Sequence, residues 1–122
     1  MRVLIVDDNC DTADMLQMLL RAAGHDVRTA YRGDDAIALA AVFEPQLAIL
    51  DIQLPDTTGF AVARTLRQQR AGRRLHIVAI TGGEDRTLGL TGNFDQHAHK
   101  PVTAARLYQI LDVAREALRD SG

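Results

Sequence analysis

The sequence predicts an α/β domain: a doubly wound, five-stranded parallel sheet with helices on both faces. Short apolar runs recur along the chain with segments of helical period between them, the alternation from which right-handed crossovers build a parallel sheet. Several of these runs are apolar on every residue, as strands buried on both faces are. The length of 122 residues, 47% hydrophobic and 25% charged, suits one globular core of ordinary size.

Arg2 to Val6 is apolar and β-branched and stops at Asp7-Asp8-Asn9, so the first strand ends on two adjacent carboxylates. Thr12 to Ala23 carries Ala13, Leu16, Leu20 and Ala23 at helical spacing, with Asp11 as candidate N-cap and Gly24 as the stop. His25 to Ala30 reads as a short second strand, followed by a turn at Arg32-Gly33. Asp34 can cap an alanine-rich helix through about Phe43, which Pro45 closes.

Leu47 to Leu50 is the most uniformly apolar strand, and it runs into Asp51-Ile52-Gln53-Leu54-Pro55. Pro55 cannot donate to a sheet ladder, so the strand ends before it and Asp51 sits at its C-terminal lip. After Asp56-Thr57-Thr58-Gly59, a third helix from Phe60 to Arg70 turns Val62, Ala63 and Leu66 inward. Ala71 to Arg74 is a basic turn, and His76 to Ile80 is a fourth strand ending on Thr81-Gly82-Gly83.

Glu84 to Asp95 contains Gly89 and Gly92 and little apolar periodicity, so a helix there is expected to be short or distorted. Gln96 to His99 is a weak fifth strand. Beyond Lys100-Pro101, Thr103 to Leu118 places Leu107, Ile110, Leu111, Ala114 and Leu118 on one helical face.

The bulk composition narrows the function classes. A net charge of -2 gives no reason to expect direct nucleic-acid binding. The longest apolar run, Ala36 to Phe43, is too short to cross a bilayer, and Met1-Arg2-Val3 enters a strand without an apolar leader. A single cytoplasmic domain over residues 1–122 is therefore expected. Cys10 is the one cysteine, which removes disulfide frameworks and cysteine metal clusters and leaves a buried or half-buried structural residue as its expected role.

A parallel sheet ends all its strands at one edge. That edge collects Asp7 and Asp8 from the first strand, Asp51 from the third, Thr81 from the fourth and Lys100 from the fifth. Three carboxylates within about 5 Å repel by roughly 3 kcal/mol per pair at an effective dielectric near 20, and a hard divalent cation such as Mg²⁺ relieves that cost. Lys100 is the one lysine among 14 basic residues, and lysine serves phosphate as a compact point charge. Each residue also has a plainer reading: Asp7-Asp8 as helix caps, Thr81 as turn chemistry, Lys100 as a solvated side chain.

Asp7-Asp8, the Asp51 to Pro55 segment with Gly59, Thr81-Gly82 and Lys100-Pro101 together resemble the receiver domain of two-component response regulators, similar in outline to the chemotaxis receiver. The resemblance covers essentially the whole chain. Asn93 to Val102 also resembles the receivers of hybrid sensor histidine kinases. The resemblance implies a flavodoxin-like fold and a phosphoprotein in phosphorelay signal transduction. Asp51 would accept a phosphoryl group from a kinase phosphohistidine. Mg²⁺ would be ligated by Asp8, Asp51 and the Gln53 carbonyl, with Asp7 acting through water. Lys100 and Thr81 would meet the phosphoryl oxygens, and the backbone of Gln53 and Gly82 would line them. His97 falls where the family carries an aromatic switch residue that reports on Thr81, and Gly83 flanks the phosphoryl group. A cis peptide between Lys100 and Pro101 is also implied.

The implied partners are a sensor histidine kinase or phosphotransfer domain and a downstream output protein or domain, with no membrane insertion; a homodimer stays open. The chain would catalyse only its own phosphorylation and dephosphorylation. Two other readings remain: a phosphorylation-independent pseudo-receiver, which Asp8, Asp51 and Lys100 argue against, and a small Mg²⁺-dependent phosphohydrolase. The latter, as in haloacid-dehalogenase-like enzymes, needs an acid two residues after the nucleophile, where this chain has Gln53. His97 and His99, two apart on a strand, share a face but need further ligands to hold a metal.

Overall fold

The computed structural model describes residues 1–70, 74–82 and 93–119. In chain order the elements are β1 (Arg2–Val6), α1 (Cys10–Ala22), β2 (Asp26–Ala30), α2 (Gly33–Phe43), β3 (Leu47–Asp51), α3 (Gly59–Gln69), β4 (His76–Thr81), β5 (Gln96–His99) and α4 (Ala104–Arg119). The five strands form one sheet in the order β2-β1-β3-β4-β5, with every neighbouring pair parallel. Among the described residues there are four helices. The expected short or distorted helix between Glu84 and Asp95 falls mostly on residues 83–92, outside the described residues.

Strand hydropathy sets the order of the sheet. β3 and β4 are buried along their whole lengths and take central positions, whereas β2 and β5 keep polar, partly exposed residues and lie at the edges. Because side chains alternate across a strand, the sheet divides its apolar residues between two cores. Val3, Ile5, Leu47, Ile49, Val78 and Ile80 pack against Leu16 and Leu20 of α1 and Leu107, Ile110 and Leu111 of α4. Leu4, Val6, Ala48, Leu50 and Ile77 pack on the other face against Ala36 and Ala40 of α2 and Val62, Ala63 and Leu66 of α3. Fully burying each larger aliphatic side chain contributes roughly 1.5–3 kcal/mol, enough to fix the register that places the strand ends.

The helix starts differ from the sequence reading in two places. Asn9, not Asp11, caps α1: its side chain accepts from Thr12 N–H at 3.1 Å, and Asp11 lies in the first turn. Beginning the helix two residues earlier moves Cys10 onto its exposed first turn, so the buried or half-buried setting expected for that cysteine is not what the fold provides. Asp34 does not cap α2 either. The cap comes from Asp56, whose two carboxylate oxygens accept from Gly33 N–H and Asp34 N–H. At its other end α2 closes with Glu44 in the left-handed region at φ 52°, just before Pro45.

Candidate functional site

The C-terminal ends of β1 and β3 lie side by side, with Val6 paired to Leu50. Asp7 and Asp51 therefore leave adjacent strands at the same level, in the crevice where the strand order reverses and open α/β sheets bind ligands. One oxygen from each of Asp7, Asp8 and Asp51 lies within 4.8 Å of the others. Asp7 is 1% exposed and Asp51 6% exposed, while Asp8 faces solvent. The mouth of the cluster is thus open on the Asp8 side.

Local hydrogen bonds aim the two buried carboxylates. Asp7 Oδ1 accepts from Asn9 N–H at 2.9 Å and Asp51 Oδ1 from Gln53 N–H at 3.1 Å, so each is held by the amide two residues on. Gln53 itself is exposed in the loop after β3. Gly59 backs this loop closely: a Cβ there would lie 2.5 Å from Asp51 O and 2.9 Å from Ile52 Cα. No residue with a side chain fits unless that backbone retreats, which gives the glycine a physical reason.

Lys100 reaches the cluster from the end of β5. Its Nζ lies 2.9 Å from Asp7 Oδ2 and 3.0 Å from Asp51 Oδ2. Burial works to lower the ammonium's pKa, but hydrogen bonds to Asp7 and Asp51 and their charges outweigh it, and the net shift is upward. Burial raises the Asp7 carboxyl above its ordinary 3.8; the Asn9 amide and Lys100 oppose the rise and the Asp51 charge adds to it. The Lys100–Pro101 peptide is cis.

Thr81 ends β4, 6% exposed, and its carbonyl accepts from Lys100 N–H at 2.8 Å. Gly82 lies beside the lysine stem, its missing Cβ position 4.0 Å from Lys100 Cδ. His97 and His99 are both exposed on β5 with ring centroids 6.5 Å apart. The register sets His97 opposite Ala79 and His99 opposite Thr81. Gly83 lies outside the described residues.

The donor set fits a small hard divalent cation. All three side chains offer carboxylate oxygens, one of them solvent-facing, and buried Asp7 Oδ2 accepts no aligned hydrogen bond, its near contact being the Lys100 ion pair. Oxygen-only ligation beside open solvent is what Mg²⁺ takes, since it keeps several waters.

Sequence reasoning missed the long-range contacts that hold the elements in place. Asp56 reaches amides 22 and 23 residues earlier, a spacing with no local signature. Arg67 donates to the carbonyls of Asn93 and Leu75 and to Asp95 Oδ2, at 2.6 Å for the last. It thereby ties α3 to the starts of β4 and β5, at the edge of the sheet opposite the site. Phe60 and Phe94 stack edge-on at 5.6 Å, packing against Ile52 and Ala79.

A family model described as "Response regulator receiver domain" matches residues 3–112. A curated protein of Mycobacterium tuberculosis, "Probable transcriptional regulatory protein TcrX", is 36% identical over 121 residues, covering 98% of this chain and 50% of its own length. The chain thus spans about half the length of that relative. Among solved structures, a CheY-like response regulator receiver domain protein of Methanospirillum hungatei superposes with a TM-score of 0.91 at 24% identity, covering 99% of this chain and 98% of the other. The chemotaxis response regulator CheY4 of Vibrio cholerae gives 0.82 at 26% identity, covering 93% and 97%.

Proposed function

The chain belongs to the response regulator receiver domain family of two-component systems, and from that premise we propose that Asp51 is its phosphoacceptor. The observation that carries this reading is the pairing of one lysine with two buried carboxylates at the adjoining ends of β1 and β3. No described helix is long and apolar enough to cross a membrane, and we place the protein in the cytoplasm with a sensor histidine kinase or phosphotransfer domain as donor.

In the reaction an Asp51 carboxylate oxygen attacks the phosphorus of a phosphohistidine. The new P–O bond forms as the P–N bond breaks, and the departing imidazole keeps the electron pair and takes a proton from solvent. Gln53 N–H and Lys100 Nζ hold the two carboxylate oxygens in a fixed plane, so the nucleophile is positioned before the donor arrives. Lys100 then has a negatively charged group to follow, passing from the carboxylates to a phosphoryl oxygen. Thr81 and the Gly82 backbone supply further contacts from the end of β4, and movement of Thr81 toward the phosphoryl group carries the signal to the surface, with His97 as switch residue.

Asp8, Asp51 and the Gln53 carbonyl would hold Mg²⁺ directly and Asp7 through water. When bound, that cation neutralises charge on the transferring group, which with positioning supplies most of the catalysis of phosphoryl transfer. Gln53 stands where a phosphohydrolase needs an acid, so the chain phosphorylates and dephosphorylates itself without turning over an external substrate. The output is a changed protein–protein surface read by a downstream protein or domain.

Intact-protein mass after incubation with acetyl phosphate and Mg²⁺ tests this reading. A single phosphoryl adduct that needs Mg²⁺ and is lost in Asp51→Asn is expected; equal labelling of that variant removes Asp51 from the role.

A further inference from the structure

The loop between β3 and α3 is pinned at its far end by a contact that the phosphoryl chemistry does not use. Asp56 Oδ1 accepts from Gly33 N–H at 2.8 Å and Oδ2 from Asp34 N–H at 2.9 Å, and Arg32 Nη2 lies 4.0 Å from Oδ2. Helix α2 depends on this contact, because Arg32 at its N-cap makes no side-chain cap bond and the first amides of a helix have no partner within it. The same amide bonds, that of Gly33 first and Asp34 next, hold the Asp56 carboxyl below its ordinary 3.8, so the cap is an anion at a helix N-terminus. The approach is close: a Cβ on Gly33 would lie 2.2 Å from Thr57 Cγ2.

Between Asp51 and Asp56 the loop is braced across itself. Gln53 pairs antiparallel with Thr58, Leu54 N–H donates to Thr57 O at 3.3 Å, and Gly59 N–H donates to Ile52 O at 2.7 Å. Gln53 N–H donates to Asp51 Oδ1. The loop thus has two anchors, the end of β3 and the Asp56 clamp on α2, with Gln53 between them.

The geometry points to Asp56 as a positioning residue for the phosphoacceptor centre: by clamping the loop to α2 it holds the Gln53 backbone, and through it the Asp51 carboxylate, in the arrangement that receives the cation. This rests on the reading of Asp51 and Gln53 as phosphoacceptor and cation ligand. It also makes α2 a support of the site, although α2 contributes no side chain to it.

Three variants of the 122-residue chain test the clamp. Asp56→Ala removes both acceptors and Asp56→Asn keeps one. Ala41→Gly weakens α2 at an exposed position without touching the loop. Two quantities are read: hydrogen exchange of the Gln53 amide without metal, and the Mg²⁺ dissociation constant by calorimetry. In Asp56→Ala, Gln53 exchange is expected to accelerate and Mg²⁺ binding to weaken roughly tenfold, as when a partner that orients a metal ligand is removed. Asp56→Asn is expected to fall between, and Ala41→Gly to keep wild-type values of both while melting earlier. Gln53 exchange in Asp56→Ala equal to that in Ala41→Gly overturns the clamp, whatever Mg²⁺ does. A wild-type chain that fails to bind Mg²⁺ overturns the cation-ligand reading instead, and the metal-free exchange tells the two failures apart.

Discussion

Lys100 Nζ lies 3.0 Å from Asp51 Oδ2, a contact between residues 49 positions apart that also brings the lysine within 2.9 Å of Asp7 Oδ2. One ammonium therefore serves two carboxylates that the ends of β1 and β3 force together. Removing one partner of a buried pair leaves the other charge uncompensated.

Lys100→Met is accordingly expected to lower stability by about 2 kcal/mol, below the usual cost of breaking a buried pair, because the lysine side chain keeps 21% exposure. Adding Asp51→Asn is expected to recover part of the loss, since two buried carboxylates no longer face each other. Urea unfolding of both variants checks this. A Lys100→Met midpoint equal to wild type would remove the lysine from the charge balance.

Magnesium is expected to act in the opposite direction. At ten times its dissociation constant, a ligand of the folded state adds about 1.4 kcal/mol, or roughly 3–6 °C in Tm for a domain of this size. Asp8→Asn is expected to shrink that shift and to raise the metal-free Tm slightly, because it removes one of three crowded negative charges at an exposed position. Thermal melts with and without millimolar Mg²⁺ read both, and equal shifts in the two proteins would exclude Asp8 as a ligand.

Gly59→Ala tests the close packing behind the acidic loop. The new methyl would sit 2.5 Å from Asp51 O, so the loop must shift, at a cost of about 1–3 kcal/mol by analogy with overpacked cores. Both the urea midpoint and the rate of acetyl phosphate labelling are expected to fall. Wild-type labelling in a destabilised Gly59→Ala protein would separate the loop position from the chemistry.

Much of this was legible in the sequence because it follows from periodicity and strand ends. The apolar runs at Arg2 to Val6 and Leu47 to Leu50 and the inward faces of α1, α3 and α4 need only local pattern, and a parallel sheet then brings Asp7, Asp51 and Lys100 to one edge. The Asp56 cap was illegible because its partners, Gly33 and Asp34, are remote in sequence. Asn9 displaced Asp11 as the α1 cap because both are good capping residues and only the backbone decides between them. The exposure of Cys10 follows from the same two-residue shift in the helix start.

The acid side of the stability curve should carry the mark of His76. Burial lowers its pKa, with Asp95 opposing and Arg67 reinforcing, so the folded protein resists protonation while the unfolded chain protonates near 6.5. The unfolded state then binds more protons below that pH, and stability falls as pH drops through it. His25, lowered by burial, the N-terminal ammonium and Arg115, acts in the same sense. His76→Gln is expected to flatten the loss between about pH 7 and 5.5, measured by urea unfolding across that range; an unchanged slope would contradict it.

The most direct test of Asp51 as the phosphoacceptor is chemical localisation of the phosphoryl group. After labelling with acetyl phosphate and Mg²⁺, borohydride reduction converts an aspartyl phosphate to homoserine, and peptide mass mapping finds the altered residue. Homoserine at position 51 alone is the predicted result. Homoserine at Asp7 or Asp8, or a phosphoryl group that resists reduction because it sits on a hydroxyl or a histidine, would contradict it.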